Sequence, residues 1–416
     1  MEFIFSLVIL FLPALNIILK RSGFIYNYLL LNVFIDIALG FFEQTTNLVA
    51  YSRAIIAVVF VMVVWYDSGG KLFHRNKIFL VYFLYLLVLT FGSSNFNVSF
   101  SSTLKMIITL VMFPVGMYYF DSAEKMRKLN LAVIGTLVLV TCNFVLTNIF
   151  GIGENPYGSS VDFYVGNLKL SAINTPVYAL LVMTSIGLFN SKREITTAKL
   201  FALPTILFLI LSMKRISLVA LIWGSVILIL FGKSKVKNLK RTVMAILLLL
   251  ALYPIYSPVL NQQIEARGNR LEVGIIEEES RFLETFIVFD LTINSGKAKP
   301  FFFGQEIWNS VGHYNGAHNE RPLHVDYNRI LFGTGLVGVC LYLLVYKNIF
   351  SQMRRITYRN DSLLDVQVYD TLRPLFFAIF SCTLIISLSG GMMGVSHRTL
   401  AFLYLGAISG YLGRMK

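Results

Sequence analysis

The stretch from Leu129 to Phe150, LNLAVIGTLVLVTCNFVLTNIF, decides the fold class. Its 22 positions contain no acidic or basic residue. A helix of about 20 apolar residues crosses the hydrocarbon core of a bilayer. Further apolar runs lie on both sides of this one along the 416 residues. The sequence therefore predicts an all-α polytopic membrane protein with about 12 to 13 transmembrane helices.

Composition excludes a soluble protein. Hydrophobic residues make up 56% of the chain and charged residues 14%, whereas soluble domains carry about 25% charged residues. The first apolar run has no basic segment before it and no small-residue cleavage pattern after it, so we predict a retained helix. We place the runs near residues 2–19, 24–42, 54–66, 78–92, 104–120, 129–150, 171–189, 198–213, 216–232, 243–257, 330–350, 374–392 and 399–413.

Basic residues predict the orientation. Alternate connections hold 23 of the 36 Lys and Arg residues, and an excess of positive charge marks the cytoplasmic side. The net charge of +14 is thus a topology signal and does not require nucleic acid. We predict three regions: residues 1–257 with about ten N-terminal transmembrane helices, 258–329 as one large non-cytoplasmic loop with short helices, and 330–416 with about three C-terminal helices.

A short connection in the segment 211–217, LSMKRIS, carries two cations on the predicted outer face. Charges at that depth cost a few kcal/mol unless a partner pairs with them. Lys214 and Arg215 are either snorkelling side chains at a helix end or a basic pocket for a phosphate-bearing lipid. A third interpretation is that the hairpin is one longer helix. Arg215 is the better phosphate ligand, because its planar guanidinium binds two oxygens at once.

The long loop contains a second candidate cation. The segment 279–286, ESRFLETF, is typical of an amphipathic helix start with Glu279 or Ser280 near its cap. Arg281 is either a surface partner of Glu284 or Glu278 or a second phosphate ligand.

The segment 317–328, AHNERPLHVDYN, leads into the eleventh predicted span. A His at the boundary of water and membrane titrates near neutrality and can take a proton from a hydroxyl, which makes His324 a candidate general base. The spacing of His313, His318 and His324 is not typical of a metal site, so we predict none. The residues assigned to substrate binding are Lys214, His318, Arg321, Asp326 and Tyr327.

Two other patterns have structural interpretations. The segment 333–338, GTGLVG, fits a dinucleotide fingerprint, but that fingerprint requires a soluble βαβ unit. Close helix contact explains these glycines better. Asn32 and Asp36 are spaced i,i+4 on the second span, and we expect hydrogen bonding between helices there.

The pattern resembles the O-antigen polymerase and O-antigen ligase superfamily of bacterial inner-membrane glycosyltransferases. That family combines about a dozen spans with one large periplasmic loop and a pattern of His, a polar residue, nine residues and Gly-x-x-Gly. Here His324, Val325 and Gly335-Leu336-Val337-Gly338 reproduce the spacing, with Val325 where Asn, Ser or Gln is usual. Arg215 matches the family's Ser-Arg helix end, with Lys214 in place of a small or polar residue. Arg281, followed by Gly304, matches its loop arginine.

The resemblance implies a fold similar to the GT-C glycosyltransferases and a metal-independent reaction without a cofactor. An undecaprenyl-pyrophosphate-linked oligosaccharide would be the donor, Arg215, Lys214 and Arg281 would hold its pyrophosphate, and His324 would deprotonate the acceptor hydroxyl. The expected protein is a polymerase in the bacterial inner membrane with its active site facing the periplasm, for which a chain-length regulator and a flippase are further candidate partners. The alternatives are a ligase that transfers the glycan to lipid A-core and a transporter of lipid-linked glycans.

Overall fold

The computed structural model describes residues 23–38, 47–151, 172–212, 214–233, 235–310, 323–356 and 363–415. These residues form α-helices and short 3-10 turns, with no strand among them. The helices are α1 (Phe24–Ala38), α2 (Asn47–Asp67), α3 (Lys77–Phe91), α4 (Phe96–Leu110), α5 (Met112–Tyr119), α6 (Ala123–Phe150), α7 (Thr175–Phe189), α8 (Lys192–Leu211), α9 (Arg215–Phe231), α10 (Lys235–Thr292), α11 (Ala298–Phe303), α12 (Asp326–Arg354), α13 (Leu363–Ile386) and α14 (Val395–Arg414).

The run quoted above lies in α6, whose ends follow local rules. The Ser122 hydroxyl accepts a hydrogen bond from the Lys125 amide at the start of the helix, and Gly151 ends it with a φ of 61°. Both are common helix termini. The predicted helix is confirmed, and it begins six residues earlier than the apolar run because the charged first turn is also helical.

Six helical segments among the described residues are long and apolar enough to cross a membrane. They are Phe96–Tyr119, Ala123–Phe150, Ala172–Phe189, Lys192–Leu211, Asp326–Arg354 and Asp365–Ser389, and three shorter apolar helices are Ile25–Ala38, Lys77–Phe91 and Arg215–Phe231. Their outer faces expose large apolar side chains, among them Val88, Ile149 and Ile222 at 65 to 69% exposure. An apolar surface of that kind suits lipid. The first predicted run, 2–19, lies outside the described residues, and the total of 12 to 13 stays a prediction.

The central helix is α14, which is buried on almost every side. It packs directly on the backbone of α5. A Cβ atom added to Gly406 would lie 2.1 Å from the Phe113 carbonyl oxygen, and one added to Gly410 would lie 2.3 Å from the Met117 carbonyl oxygen. This Gly-x-x-x-Gly spacing is a familiar contact surface between membrane helices, and it lets the backbones of α14 and α5 approach closely.

The predicted break between two helices at 211–217 is confirmed. Helix α8 ends at Leu211 and α9 begins at Arg215, so the chain does not continue as one longer helix. The long segment after α9 differs from expectation, because α10 is helical from Lys235 to Thr292. Glu279 and Ser280 therefore lie inside a helix and do not begin one. The residues from 259 to 292 contain no proline and only two glycines, so little in them opposes a helix.

Several connections that carry basic residues lie at the same end of the helices and contact one another. Arg127 pairs with Glu194 at 2.6 Å, and Arg414 pairs with Asp121 at 2.8 Å. The Tyr118 hydroxyl donates to the Asp67 carbonyl oxygen in the connection that also holds Lys71 and Arg75. A second group of segments, called the corner, contains the candidate site. It consists of the turn between α8 and α9, the start of α12 and the start of α14.

Candidate functional site

The α8–α9 turn places two cations at the beginning of a helix. Lys214 precedes α9 and is partly buried, while Arg215 is its first residue and is exposed. The first turn of α9 contains no acidic residue. The amino end of a helix carries a partial positive charge and favours anions, so two cations there raise the positive potential further. This arrangement favours an anionic ligand.

Burial lowers the pKa of the Lys214 ammonium to about 8, and the Asp326 carboxylate opposes this effect. Near neutral pH the side chain is therefore still mostly protonated, although it loses its proton more readily than an exposed lysine. Its charge depends on the neighbouring carboxylate at the start of α12.

Glu284, on α10, holds the segment that carries His324. The Glu284 side chain is buried, at 4% exposure. Its carboxylate accepts hydrogen bonds from the backbone N–H groups of His324 and Val325 at 3.0 to 3.1 Å. The side-chain amide of Asn328 donates to the same carboxylate at 3.1 Å. A carboxylate on another helix thus holds the chain where α12 begins.

An apolar residue stands at the start of α12. Val325 is the N-cap residue of α12 and has no side-chain oxygen to accept from the helix. The usual capping residues are Ser, Thr, Asp and Asn. Glu284 does not replace that acceptor, because the backbone N–H groups that donate to it are those of His324 and of Val325 itself. It instead fixes the chain directly before α12.

Two glycines, Gly390 and Gly391, contact the other side of the segment that carries His324. Gly390 has a φ of 85°, and a Cβ atom added to it would lie 2.1 Å from the His324 carbonyl oxygen. The next amide, that of Gly391, donates to the Asp326 carboxylate at 2.9 Å. The His324 backbone is therefore held between Glu284 and the turn before α14.

The start of α14 adds a buried cation that the sequence interpretation did not identify. Arg398 is 4% exposed, donates to the Met392 carbonyl oxygen at 3.1 Å and lies with its Cζ 5.3 Å from the centre of the Phe402 ring. It acts electrostatically on the Asp326 carboxylate. His397, beside it, stacks on Tyr178 with 6.2 Å between ring centres.

Several buried polar atoms in this corner have no hydrogen-bond partner among the described residues. They are Asp326 Oδ1, His397 Nδ1, Arg398 Nη2 and Thr399 Oγ1. Buried polar atoms are nearly always paired. Because both donors and an acceptor are included, an ordered water or a polar group of a ligand would satisfy them.

A third buried charge group joins this corner to the amino-terminal helices. Arg53 pairs with Asp36 at 2.7 Å, and its Nε donates to the Asn32 side chain at 2.5 Å. The Ser396 hydroxyl donates to the other oxygen of Asp36. The expected helix–helix hydrogen bonding of Asn32 and Asp36 is confirmed, and its partner is Arg53 on α2.

The glycines of 333–338 allow backbone contact, as expected. Gly335 interrupts α12 with a φ of 61°, and a Cβ atom there would lie 2.4 Å from the Phe302 carbonyl carbon. Gly304 approaches Gly333 in the same way, at 2.6 Å. The Tyr85 hydroxyl donates to the Thr334 carbonyl oxygen at the break, at 2.6 Å. The break separates a short segment after His324 from the longer part of α12.

The other predicted site residues differ in how much of each one the structure describes. Tyr327 donates its hydroxyl to the Leu384 carbonyl oxygen on α13 at 3.0 Å, which makes a helix-to-helix contact. Arg281 belongs to α10, one turn before Glu284, and its side chain lies outside the described part. His318 and Arg321 lie outside the described residues. The structure places Lys214 close enough to Asp326 for the two charges to interact. Arg215 follows Lys214 directly, and His324 lies two residues before Asp326.

Within the described residues, no group of three His, Cys, Asp or Glu side chains is arranged to hold a metal ion. The charged groups of the corner instead suit an anion and a hydroxyl-bearing ligand. A scan against protein-family models and a search of curated proteins find no match for this chain.

Proposed function

We propose that the protein is a membrane-embedded glycosyltransferase that extends a bacterial surface polysaccharide, such as an O-antigen. It transfers a polyprenyl-pyrophosphate-linked glycan to a new lipid-linked repeat unit at the periplasmic face of the inner membrane. One observation carries the proposal: a histidine held from both sides lies in the same corner as two cations at a helix start.

The cations are suited to the donor's pyrophosphate. Lys214 and Arg215 stand at the amino end of α9, where the helix end adds its partial positive charge to theirs. By contrast, the amino end of α12 already has Glu284 and Asp326. An anion is therefore attracted to α9 and repelled from α12. Arg281 on α10 is the third proposed ligand.

His324 is proposed to act on the acceptor. Its imidazole takes the proton from an acceptor hydroxyl, the hydroxyl oxygen forms a bond to the anomeric carbon, and the bond from that carbon to the pyrophosphate oxygen breaks. The cations stabilise the negative charge that develops on the leaving pyrophosphate. The proton then passes from His324 to solvent or to the released polyprenyl pyrophosphate.

A gel of lipopolysaccharide from a deletion strain tests the proposal. Lipid A-core carrying a single repeat unit is expected, because ligation continues while polymerisation is lost. Complementation with Arg215→Ala should leave this pattern, whereas Arg193→Ala should restore the ladder. Arg193 is the matched control, since it is exposed in the first turn of α8.

Two other results would contradict the proposal. An unchanged ladder in the deletion strain would remove the polymerase assignment. Bare lipid A-core together with long polyprenyl-linked glycan would assign the same residues to a ligase.

A further inference from the structure

A cavity of about 190 Å³ lies beside the segment that carries His324. Its walls come from α4, from the segment 304–310, from Leu323 and the first part of α12, and from Met393 in the turn before α14. Six of its lining residues matter for its chemistry: Ser102, Trp308, Ser310, Leu323, Arg329 and Phe332. The mechanism proposed above does not use this cavity.

Trp308 forms one wall and has an unusual backbone. Its φ is 56°, and it is the one residue other than glycine with positive φ among those described. A bulky residue in that region is strained and persists only where its surroundings hold it. The Trp308 indole N–H donates to the Thr103 hydroxyl at 2.8 Å, which fixes the ring.

The neighbours of Trp308 are fixed as well. The Glu306 carboxylate accepts from the Ser93 hydroxyl at 2.5 Å and from the Ser94 amide at 2.9 Å. The Ser99 hydroxyl donates to the Ile307 carbonyl oxygen at 2.6 Å. This number of bonds on a short segment holds Trp308 in its strained conformation, and such strain is concentrated at ligand sites.

The lining combines two aromatic rings with hydroxyl groups and one cation. Trp308 supplies a flat apolar face, and Phe332, at 1% exposure, closes the wall behind it. Ser102 and Ser310 supply hydroxyls, and Arg329 supplies N–H donors. A pyranose ring has the complementary pattern, because its C–H groups form an apolar face and its hydroxyls lie around the edge. A cavity of about 150 Å³ accommodates benzene, so 190 Å³ accommodates the ring atoms of one six-membered sugar.

The cavity also adjoins the proposed general base. Leu323, which precedes His324, forms part of its wall, and its backbone N–H donates to the Ser310 hydroxyl at 3.1 Å. Arg329 donates from its Nε to the Leu323 carbonyl oxygen. We propose that this cavity binds the terminal sugar ring of the acceptor, stacked on Trp308, with its reacting hydroxyl directed to His324. The inference rests on the proposed function and names its acceptor site.

Indole fluorescence tests the inference without an activity assay. The chain has three tryptophans, and two of them, Trp65 and Trp223, are exposed. The full-length variant W65F/W223F in lipid nanodiscs therefore reports on Trp308. The probes are the methyl glycosides of glucose, galactose, N-acetylglucosamine and glucuronic acid, with sodium diphosphate as the anionic probe.

We expect a saturable change with one or more of the glycosides, with a Kd of about millimolar for so small a ligand. Adding Ser102→Phe should weaken the response at least about 10-fold, because the ring fills the cavity. Ser101→Phe is the matched control, since Ser101 is the adjacent residue on α4 and does not line the cavity. Its response should equal that of the parent.

Three results would overturn the inference: no response to any glycoside, a response to diphosphate alone, or equal responses in the Ser102→Phe and Ser101→Phe proteins. The proposed function fails separately. In that case the glycosides still bind, but the deletion strain keeps its normal lipopolysaccharide ladder.

Discussion

Replacing Glu284 with Gln should reduce glycan synthesis far more than it reduces stability. The carboxylate accepts from two backbone N–H groups and from the Asn328 amide. Gln keeps one oxygen that can accept, but it loses the charge at the start of α12. A carboxylate at a helix start contributes up to about 2 kcal/mol, so we expect Glu284→Gln to cost about 2 kcal/mol.

Ala at this position removes every acceptor. Each buried donor left unsatisfied costs about 1–3 kcal/mol, and water reaching the end of α12 recovers part of that. We expect Glu284→Ala to cost about 3–5 kcal/mol in total. Activity is more sensitive, because a displacement of about 1 Å at a reacting group can reduce a rate about 100-fold. His324 is the group that moves.

The assay has two readouts. The melting temperature of the purified protein in detergent reports stability, and the lipopolysaccharide ladder of a complemented strain reports synthesis. Glu265→Gln is the matched control, because Glu265 is exposed on the same helix, and it should behave as wild type within about 0.5 kcal/mol. If Glu284→Gln matches this control in both readouts, Glu284 does not position His324.

Three further perturbations test other parts of the structure. Gly390→Ala should abolish the ladder, because the added Cβ meets a carbonyl oxygen at 2.1 Å, whereas Gly296→Ala, with a φ of 67° and open space around it, should cost only about 1–2 kcal/mol and keep the ladder. Equal effects of these two substitutions on the melting temperature and on the lipopolysaccharide ladder would contradict this expectation. Since Lys214 has a pKa of about 8 and loses its charge above that pH, kcat/KM should fall above about pH 8; Lys214→Arg stays protonated and should keep its activity there. An equal fall of kcat/KM with pH in wild type and in Lys214→Arg would show that another group titrates. Asp36→Ala should cost about 3–5 kcal/mol, because it leaves the Arg53 cation buried without its carboxylate. The double variant Asp36→Leu, Arg53→Met should melt above the single variant, and the reverse order would refute the pairing.

The apolar runs are sufficient to predict much of the helical fold. The α6 helix and the break before Arg215 follow from residues close together in the chain. The sequence does not predict the length of α10, because polar residues such as those after 257 are typical of a loop. A polar sequence with few glycines or prolines is equally compatible with a helix, and local pattern alone did not separate these outcomes.

The sequence predicts candidate site residues only where cations or a histidine lie near the ends of apolar runs. Lys214, Arg215 and His324 carried that signal, whereas Glu284 and Arg398 act through contacts between distant segments. Arg398 lies just before the last apolar run, and a cation at such a position is a usable signal for a buried site. The role of Glu284 depends on the position of α10 beside α12, which no local rule supplies.

The most direct test of the central claim uses the purified protein in liposomes with lipid-linked repeat units. Wild type and His74→Ala should both produce a ladder of polymerised glycan, since His74 is exposed in the connection before α3. His324→Ala should produce none, although it inserts and melts as wild type does. A ladder formed by His324→Ala at the wild-type rate would contradict the assignment of His324 as the general base.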